Sequence, residues 1–287
     1  MSVEPEVLAS DERRTRAPFG RRLARVAGVE DHGAYRLLWV ADAGGPPDPC
    51  PGQFYMLAAA SGWGGGDDGR PYLPRAFSHA RLVPDRVEAH RLGFLLEVVG
   101  PGTDRLAALE IGEELWLSGP FGAGFRPPDP APDAGRAVLV GGGIGIAPIL
   151  ALADELGRDA TVLLGFRSAR HAAAARLFEA EPRVATDDGS VGRHALVLDL
   201  LHDELDRDAR AAVCACGPPP MLEAVRALCA ARGVEAQLAL ESGMACGYGA
   251  CFGCVVPTRD GFLRLCLDGP VLDAARLETA LFEGAGH

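Results

Sequence analysis

The hydrophobic pattern of this chain changes period part-way along. Between Arg21 and about Phe125, apolar residues come in short β-type runs, Tyr35–Val40, Gln53–Ala58, Phe94–Val99 and Glu114–Ser118, separated by Gly- and Pro-rich turns. Several short strands with that punctuation predict a small antiparallel β-barrel. Arg126–Arg136 reads R-P-P-D-P-A-P-D-A-G-R, a Pro-rich linker that marks a domain boundary. Beyond it, strand and helix patterns alternate. Ala137–Val140 reads as a buried strand, followed by glycines and a helix near Ala147–Leu156. Thr161–Gly165 is the next strand, then a helix over Leu196–Leu205 and a strand over Ala211–Cys216. Pro219–Arg232 carries Met221, Leu222, Val225, Leu228 and Cys229 at helical spacing, with prolines at its start and Gly233 just past its end. This alternation predicts an α/β domain with a parallel sheet covered by helices on both faces.

The expected organisation is multi-domain: a mobile tail over 1–20, a barrel over 21–127, an α/β domain over 135–239 and a small C-terminal segment over 240–287. Ser61–Arg70 reads as a flexible glycine-rich insert. A net charge of −11 and a pI near 5.1 argue against nucleic acid or an anionic membrane surface as partner. The longest apolar run, Ala137–Ala153, contains four glycines and Pro148, so it suits strand, loop and helix and not a membrane span. Met1–Phe19 has no apolar core of a secretory signal. Eight cysteines without such a signal point to a reducing cytoplasm, where thiols serve metals or packing.

Four of those cysteines lie between Met244 and Cys266. Cys246 and Cys251 are separated by four residues, Cys251 and Cys254 by two, and Cys266 follows after eleven more. The spacing C-x4-C-x2-C with a later fourth cysteine is the plant-type pattern for a [2Fe–2S] cluster, whose two ferric ions need four soft thiolates. Gly247, Gly249 and Gly253 let the loop bend sharply, and Ala245 and Ala250 leave room near the sulfurs. Val255–Thr258 and Phe262–Cys266 are β-rich runs across Asp260–Gly261, a hairpin that returns Cys266 toward Cys254. Zinc is the alternative, but structural zinc sites favour paired knuckles that this spacing fits poorly.

Other motifs carry weaker signals. In Leu73-Pro74-Arg75-Ala76-Phe77-Ser78, the arginine can clamp a phosphate, Phe77 can stack and Ser78 can offer a hydroxyl to a flavin. Taken alone, an arginine and a serine at this spacing are usually solvated surface plus a turn. Val98–Asp104 opens a short helix that Thr103 or Asp104 can cap; its free N–H groups suit a pyrophosphate, and an ordinary capped helix also fits. Gly119–Phe125, G-P-F-G-A-G-F, is a tight exit from the barrel. Val138–Pro148, V-L-V-G-G-G-I-G-I-A-P, joins a strand to a helix as dinucleotide binding requires, although Pro148 falls where the helix would begin. Cys216–Met221, C-G-P-P-P-M, ends a later strand at the sheet edge where ligands bind. Arg167 and Arg170 follow the second strand, where an acid favours NAD and an arginine favours NADP. Cys50, Cys214 and Cys229 read as packing thiols, and the seven histidines are too scattered to form a site.

In this order the motifs resemble the ferredoxin-reductase-like flavoproteins. The cysteine motif, with Leu240-Glu241 before it and Cys266–Val271 (C-L-D-G-P-V) after it, is most similar to electron-transfer subunits of NAD-dependent dihydroorotate dehydrogenases. The resemblance implies that Arg75, Ala76, Phe77, Ser78, Gly102 and Thr103 bind FAD in the barrel. It implies that Gly142, Gly143, Gly145 and Pro148 bind NAD in the α/β domain, with Cys216 and Gly217 near the nicotinamide. Cys246, Cys251, Cys254 and Cys266 would ligate the [2Fe–2S] cluster. Ala76 departs from the relatives, which usually have proline there. The implied role is an electron relay in pyrimidine biosynthesis between NAD and the FMN of a dihydroorotate dehydrogenase catalytic subunit, in a complex of two plus two chains, with no side chain doing bond chemistry. Rival expectations are a reductase feeding an oxygenase, hydrogenase or ferredoxin, and a non-catalytic redox sensor.

Overall fold

Two seven-stranded sheets and a small hairpin carry residues 13–65, 69–84, 89–127, 136–282 and 284–285, the part of this computed structural model that is described. Residues 1–12 of the tail expected over 1–20, residues 66–68 of the insert and residues 128–135 of the linker lie outside the described residues.

The first sheet is antiparallel throughout. Its strands are β1 (Arg22–His32), β2 (Tyr35–Asp42), β3 (Phe54–Ala59), β4 (Arg75–Ser78), β5 (Arg81–Val83), β6 (His90–Glu97) and β7 (Glu114–Phe121), in the order β4-β3-β7-β1-β2-β6-β5. The two edges, β4 and β5, are joined by only His79 and Ala80. A two-residue link cannot span a flat seven-stranded sheet at about 4.8 Å per strand, so the sheet must curl into a half-barrel. Leu38, Leu57, Leu92, Phe94 and Leu117 fill it, with Leu106 of α1 (Pro101–Ala107) as a plug. β1 lacks a clean alternation and escapes sequence reading; it is fixed by Arg22, whose Nε donates to the buried Asp42 at 2.6 Å and whose Nη1 donates to the Gly119 carbonyl at 2.9 Å.

The second sheet takes β8 (Ala137–Gly142), β9 (Ala160–Phe166), β10 (Arg183–Thr186), β11 (Arg193–His194), β12 (Ala212–Cys216), β13 (Ala236–Ala239) and β16 (Val271–Asp273) in the order β11-β10-β9-β8-β12-β13-β16. All neighbours are parallel except β13 and β16. One face packs against α2 (Ile146–Leu156) and α3 (Ala169–Ala172), the other against α4 (Val197–Arg207) and α5 (Pro219–Arg232). α5 starts on its prolines and stops at Gly233 in the left-handed conformation, as its sequence predicts. Pro148 is the third residue of α2 and not a barrier to it, because the first turn of a helix needs no N–H there.

The C-terminal segment is woven into the rest. It supplies β16 to the second sheet, and β14 (Val255–Thr258) pairs with β15 (Gly261–Arg264). The hairpin forms as expected, but Cys266 sits in a single helical turn, α6 (Leu265–Asp268), and not in its second strand. Leu265 and Val256 are fully buried among residues of the parallel sheet. The end of the presumed tail is also pinned. Arg13 Nε donates to the Phe125 carbonyl at 2.8 Å, Thr15 exchanges two hydrogen bonds with the buried Gln53, and Arg14 reaches the Leu267 carbonyl. A polar segment without periodicity is still fixed when side chains supply its backbone partners. Among the described residues, no helix is long and apolar enough to cross a membrane.

Candidate functional site

A cleft of about 640 Å³ opens where the two sheets meet. One wall is Leu73–Ser78 on and before β4, and a second is Val99–Thr103 at the start of α1. Ile144, Ala147 and Pro148 contribute from the glycine-rich loop and α2, Cys216 from the end of β12, and the run Leu240–Met244 completes the lining. The cleft thus gathers Arg75, Ala76, Phe77, Ser78, Gly102, Thr103, Pro148 and Cys216. Gly142, Gly143, Gly145 and Gly217 are not among its lining residues.

Sheet register places the first group. Arg75 pairs with Leu57 and Ser78 with Phe54, so β4 holds both on one rung ladder. The Arg75 guanidinium lies flat against the α1 backbone: a Cβ on Gly102 would stand 2.6 Å from Arg75 Nε. Only glycine leaves that space. Arg75 also lies over the Trp63 ring at 5.8 Å. The Thr103 hydroxyl accepts from the Val99 and Gly100 N–H groups at 2.9 and 3.1 Å and donates to the Gly100 carbonyl, so it shapes the turn before α1.

The missing glycines have a packing reason. A Cβ on Gly142 would lie 2.3 Å from Met221 Sδ, one on Gly145 2.6 Å from the Gly217 backbone, and one on Gly217 2.5 Å from Met221 Cε. These glycines press the β8–α2 and β12–α5 turns together, while Gly143 takes a positive φ of 55°. Cys216 is buried at this junction, and burial followed by the nearby Glu241 pushes its thiol well above its ordinary pKa. Glu241 itself stays accessible from the cleft, yet protein surrounds it deeply enough that desolvation raises its carboxyl. Nothing in the sequence marks Glu97, Ser242 or Met244 as cleft residues; a lone acid before a cysteine motif was the one available signal for Glu241.

The four cysteines come together as two pairs. Cys254 and Cys266 Sγ atoms lie 3.2 Å apart in the interior. Cys246 and the exposed Cys251 interact through their thiols. Backbone N–H groups turn onto the sulfurs: Gly253 N–H donates to Cys251 at 3.5 Å. Burial raises the Cys246 thiol, but bonds from Tyr248, Cys251 and Ala250 outweigh it and bring it down to about 7. Cys266 is pushed up to about 12, first by burial and then by Cys254. Gly247 and Gly249 have φ near 79° and 84°, as the bends require, whereas Gly253 does not; the third left-handed position is Phe252, at 60°. Arg264 secures it, donating to the Gly249 carbonyl at 3.1 Å and lying over the Phe252 ring at 5.0 Å. Among the described residues no three His, Cys, Asp or Glu side chains converge on a single ion. Sulfurs in two pairs, with amides turned on them, fit a binuclear iron–sulfur centre; one tetrahedral zinc needs all four round one point.

Residues 241–278 match a family described as the iron-sulfur cluster binding domain of dihydroorotate dehydrogenase B. A dihydroorotate dehydrogenase B (NAD(+)) electron transfer subunit from Caldanaerobacter subterraneus subsp. tengcongensis is 36% identical over 233 residues, covering 78% of this chain and 85% of the relative. The subunit of the same description from Geobacillus thermodenitrificans is 37% identical over 243 residues, covering 79% and 86%. Among solved structures, an NADH-dependent reduced ferredoxin-NADP oxidoreductase superposes with a TM-score of 0.73 at 23% identity, covering 91% of this chain and 92% of the other. The ferredoxin reductase in carbazole 1,9a-dioxygenase gives 0.60 at 22% identity over 75% and 66%. At those identities the two structures attest the fold.

Proposed function

This chain belongs to the family of dihydroorotate dehydrogenase B electron transfer subunits, and from that premise we propose that it relays electrons between NAD and the FMN of a dihydroorotate dehydrogenase catalytic chain, through FAD and a [2Fe–2S] cluster, in pyrimidine biosynthesis. The observation that carries this reading is the continuity of the cleft. It joins the Arg75–Ser78 corner to the start of α2 and the end of β12, and its Leu240–Met244 wall runs directly into Cys246.

Bound there, FAD supplies both two-electron and one-electron chemistry and the cluster one-electron chemistry, so the pair carried by a hydride leaves singly. The chain's own residues position these groups. Arg75 would clamp the flavin's phosphates beside Gly102 and Thr103, Ser78 would offer its hydroxyl to the ring, and Ala76 and Phe77 would bound it. Pro148 and Cys216 would face the nicotinamide end, while Gly142, Gly145 and Gly217 let the two turns behind them pack together and Gly143 supplies the left-handed bend of the loop. Phe54, Leu95, Ile144 and Ala239 line the cleft with apolar surface that excludes water. Cys246, Cys251, Cys254 and Cys266 would hold the cluster. No side chain has bond-making chemistry to perform. The partner is an FMN-bearing catalytic chain, in a complex with two copies of each. The eight free thiols suit the reducing cytoplasm, where we place the protein.

The test uses anaerobically purified full-length chain. It should hold about one flavin and about two irons and pass electrons from NADH to artificial dyes. It should not oxidise dihydroorotate until an FMN-containing catalytic chain is added. Dihydroorotate oxidation by this chain alone refutes the relay; restoration by a different acceptor but not by the catalytic chain points to another reductase.

A further inference from the structure

Ser61–Gly65, the first part of the glycine-rich insert, is anchored on two sides. Arg105 of α1 donates from Nε to the Ser61 carbonyl at 3.1 Å and from Nη2 to the Ser61 hydroxyl at 3.0 Å. The Gly64 and Gly65 N–H groups donate to the Pro71 carbonyl at 2.9 and 3.2 Å. Gly62 makes the bend between these anchors with a φ of 67°, and a Cβ there would stand 3.0 Å from Arg105 Nε. The turn so held presents Trp63, which packs on the half-barrel core and carries the Arg75 guanidinium 5.8 Å from its ring centre. Arg75 lines the cleft and Trp63 does not.

Arg75 is held in place by neutral partners. Its Nη1 donates to the Leu73 carbonyl at 2.5 Å, its guanidinium lies along Gly102, and the indole of Trp63 is its third contact. Among the described residues it makes no ion pair, whereas Arg22, Arg81 and Arg105 meet the carboxylates of Asp42, Asp154 and Glu113. The difference matters for an anion site. A carboxylate would fix the arginine and cancel its charge, while an aromatic face fixes it and leaves the charge available. Trp63 also carries a cost: its Nε1 is buried without a hydrogen-bond partner. What tryptophan offers against that cost is the aromatic face with the strongest attraction for a cation.

We propose that Trp63 is a positioning residue for FAD: it braces the Arg75 guanidinium in the orientation that takes the cofactor's phosphates, which makes the insert a working part of the flavin site. Trp63 acts through Arg75. An arginine ordered in advance gives up less freedom when the phosphates arrive, so the bound state is held longer. This rests on the reading of Arg75 as the phosphate clamp given above.

FAD release from full-length holoprotein is timed by the return of flavin fluorescence on dilution. Wild type is compared with Trp63→Ala, Trp63→Phe, Arg75→Ala and the Trp63→Ala/Arg75→Ala double variant, each at equal iron content so that misfolded chain is not counted. Trp63→Ala should release FAD about fivefold faster, and Trp63→Phe, which keeps an aromatic face, should stay within about twofold of wild type. Arg75→Ala should release it roughly 30-fold faster, and Trp63→Ala should add less than about twofold to that, because the brace then has nothing to hold. A Trp63→Ala rate within about twofold of wild type overturns the proposal. So does a Trp63→Ala increase that persists in full without Arg75, or a Trp63→Phe variant as fast as Trp63→Ala. An unchanged rate in Arg75→Ala overturns the phosphate-clamp reading itself, whatever the Trp63 variants show.

Discussion

The corner offered to the flavin and the loop that gathers the sulfurs adjoin one cleft, yet they are built in opposite ways. Arg75 and Ser78 stand on a strand whose rungs to β3 fix their position, and almost any sequence compatible with that ladder would place them equally well. The stretch from Gly243 to Cys254 lies outside helix and strand. Its shape rests on left-handed turns at Gly247, Gly249 and Phe252, on the Arg264 contacts and on two buried cysteines. Where regular structure does the positioning, chemistry can hide in an ordinary sequence; where it does not, the residues must spell the site out.

The contrast breaks most sharply at the thiols. Replacing any one of Cys246, Cys251, Cys254 or Cys266 by serine should abolish iron retention and cluster absorbance, whereas Cys50→Ser should leave both intact. Equal iron loss from all five variants would mean the loop is not the metal site. The barrel side should respond by degree. Arg75→Ala removes a charge-assisted contact worth about 2 kcal/mol, so FAD should dissociate with a Kd raised roughly 30-fold while iron content holds. Flavin titration showing unchanged affinity would remove Arg75 from the site.

The finest distinction lies within the loop. Gly249 has a φ of 84°, and a Cβ there would stand 2.5 Å from the Leu267 side chain. Gly253→Ala meets nothing nearer than 3.6 Å and needs no left-handed backbone. Gly249→Ala should therefore cost about 2 kcal/mol and Gly253→Ala less than about 0.5 kcal/mol. Urea unfolding followed by cluster bleaching measures both; equal costs would show that bending at Gly249 is not what shapes the loop.

Legibility in the sequence followed the same division. The cysteine spacing, the Asp260–Gly261 hairpin and the ends of α5 could be read directly, because each is a local requirement of ligand number, turn geometry or helix capping. The α/β alternation announced its sheet. β1 and β16 could not be read, since a strand fixed by long-range partners need not alternate. The role of Gly142, Gly145 and Gly217 was half legible: their glycine character was plain, but their reason is the Met221 side chain and one another across two turns. Glu97 was silent altogether, because its partner Arg167 lies seventy residues away. Arg167 read alone leaned toward a phosphate; that its guanidinium meets Glu97 is visible only in the fold.

The two-residue link between β4 and β5 has a consequence for colloidal behaviour. An unpaired strand edge is a template on which another chain can add, and proteins with open sheets must blunt it. Here the curl that the link enforces brings the two edges round toward each other, so the barrel offers little edge to a neighbour. The second sheet solves the same problem by brevity: β11 is two residues long, Arg193 and His194, and β16 is three. Self-association through strand addition is thereby disfavoured at both sheets, and apolar contact falls instead to exposed side chains such as Tyr248 and Phe252 of the sulfur loop and Phe262 of the hairpin beside it.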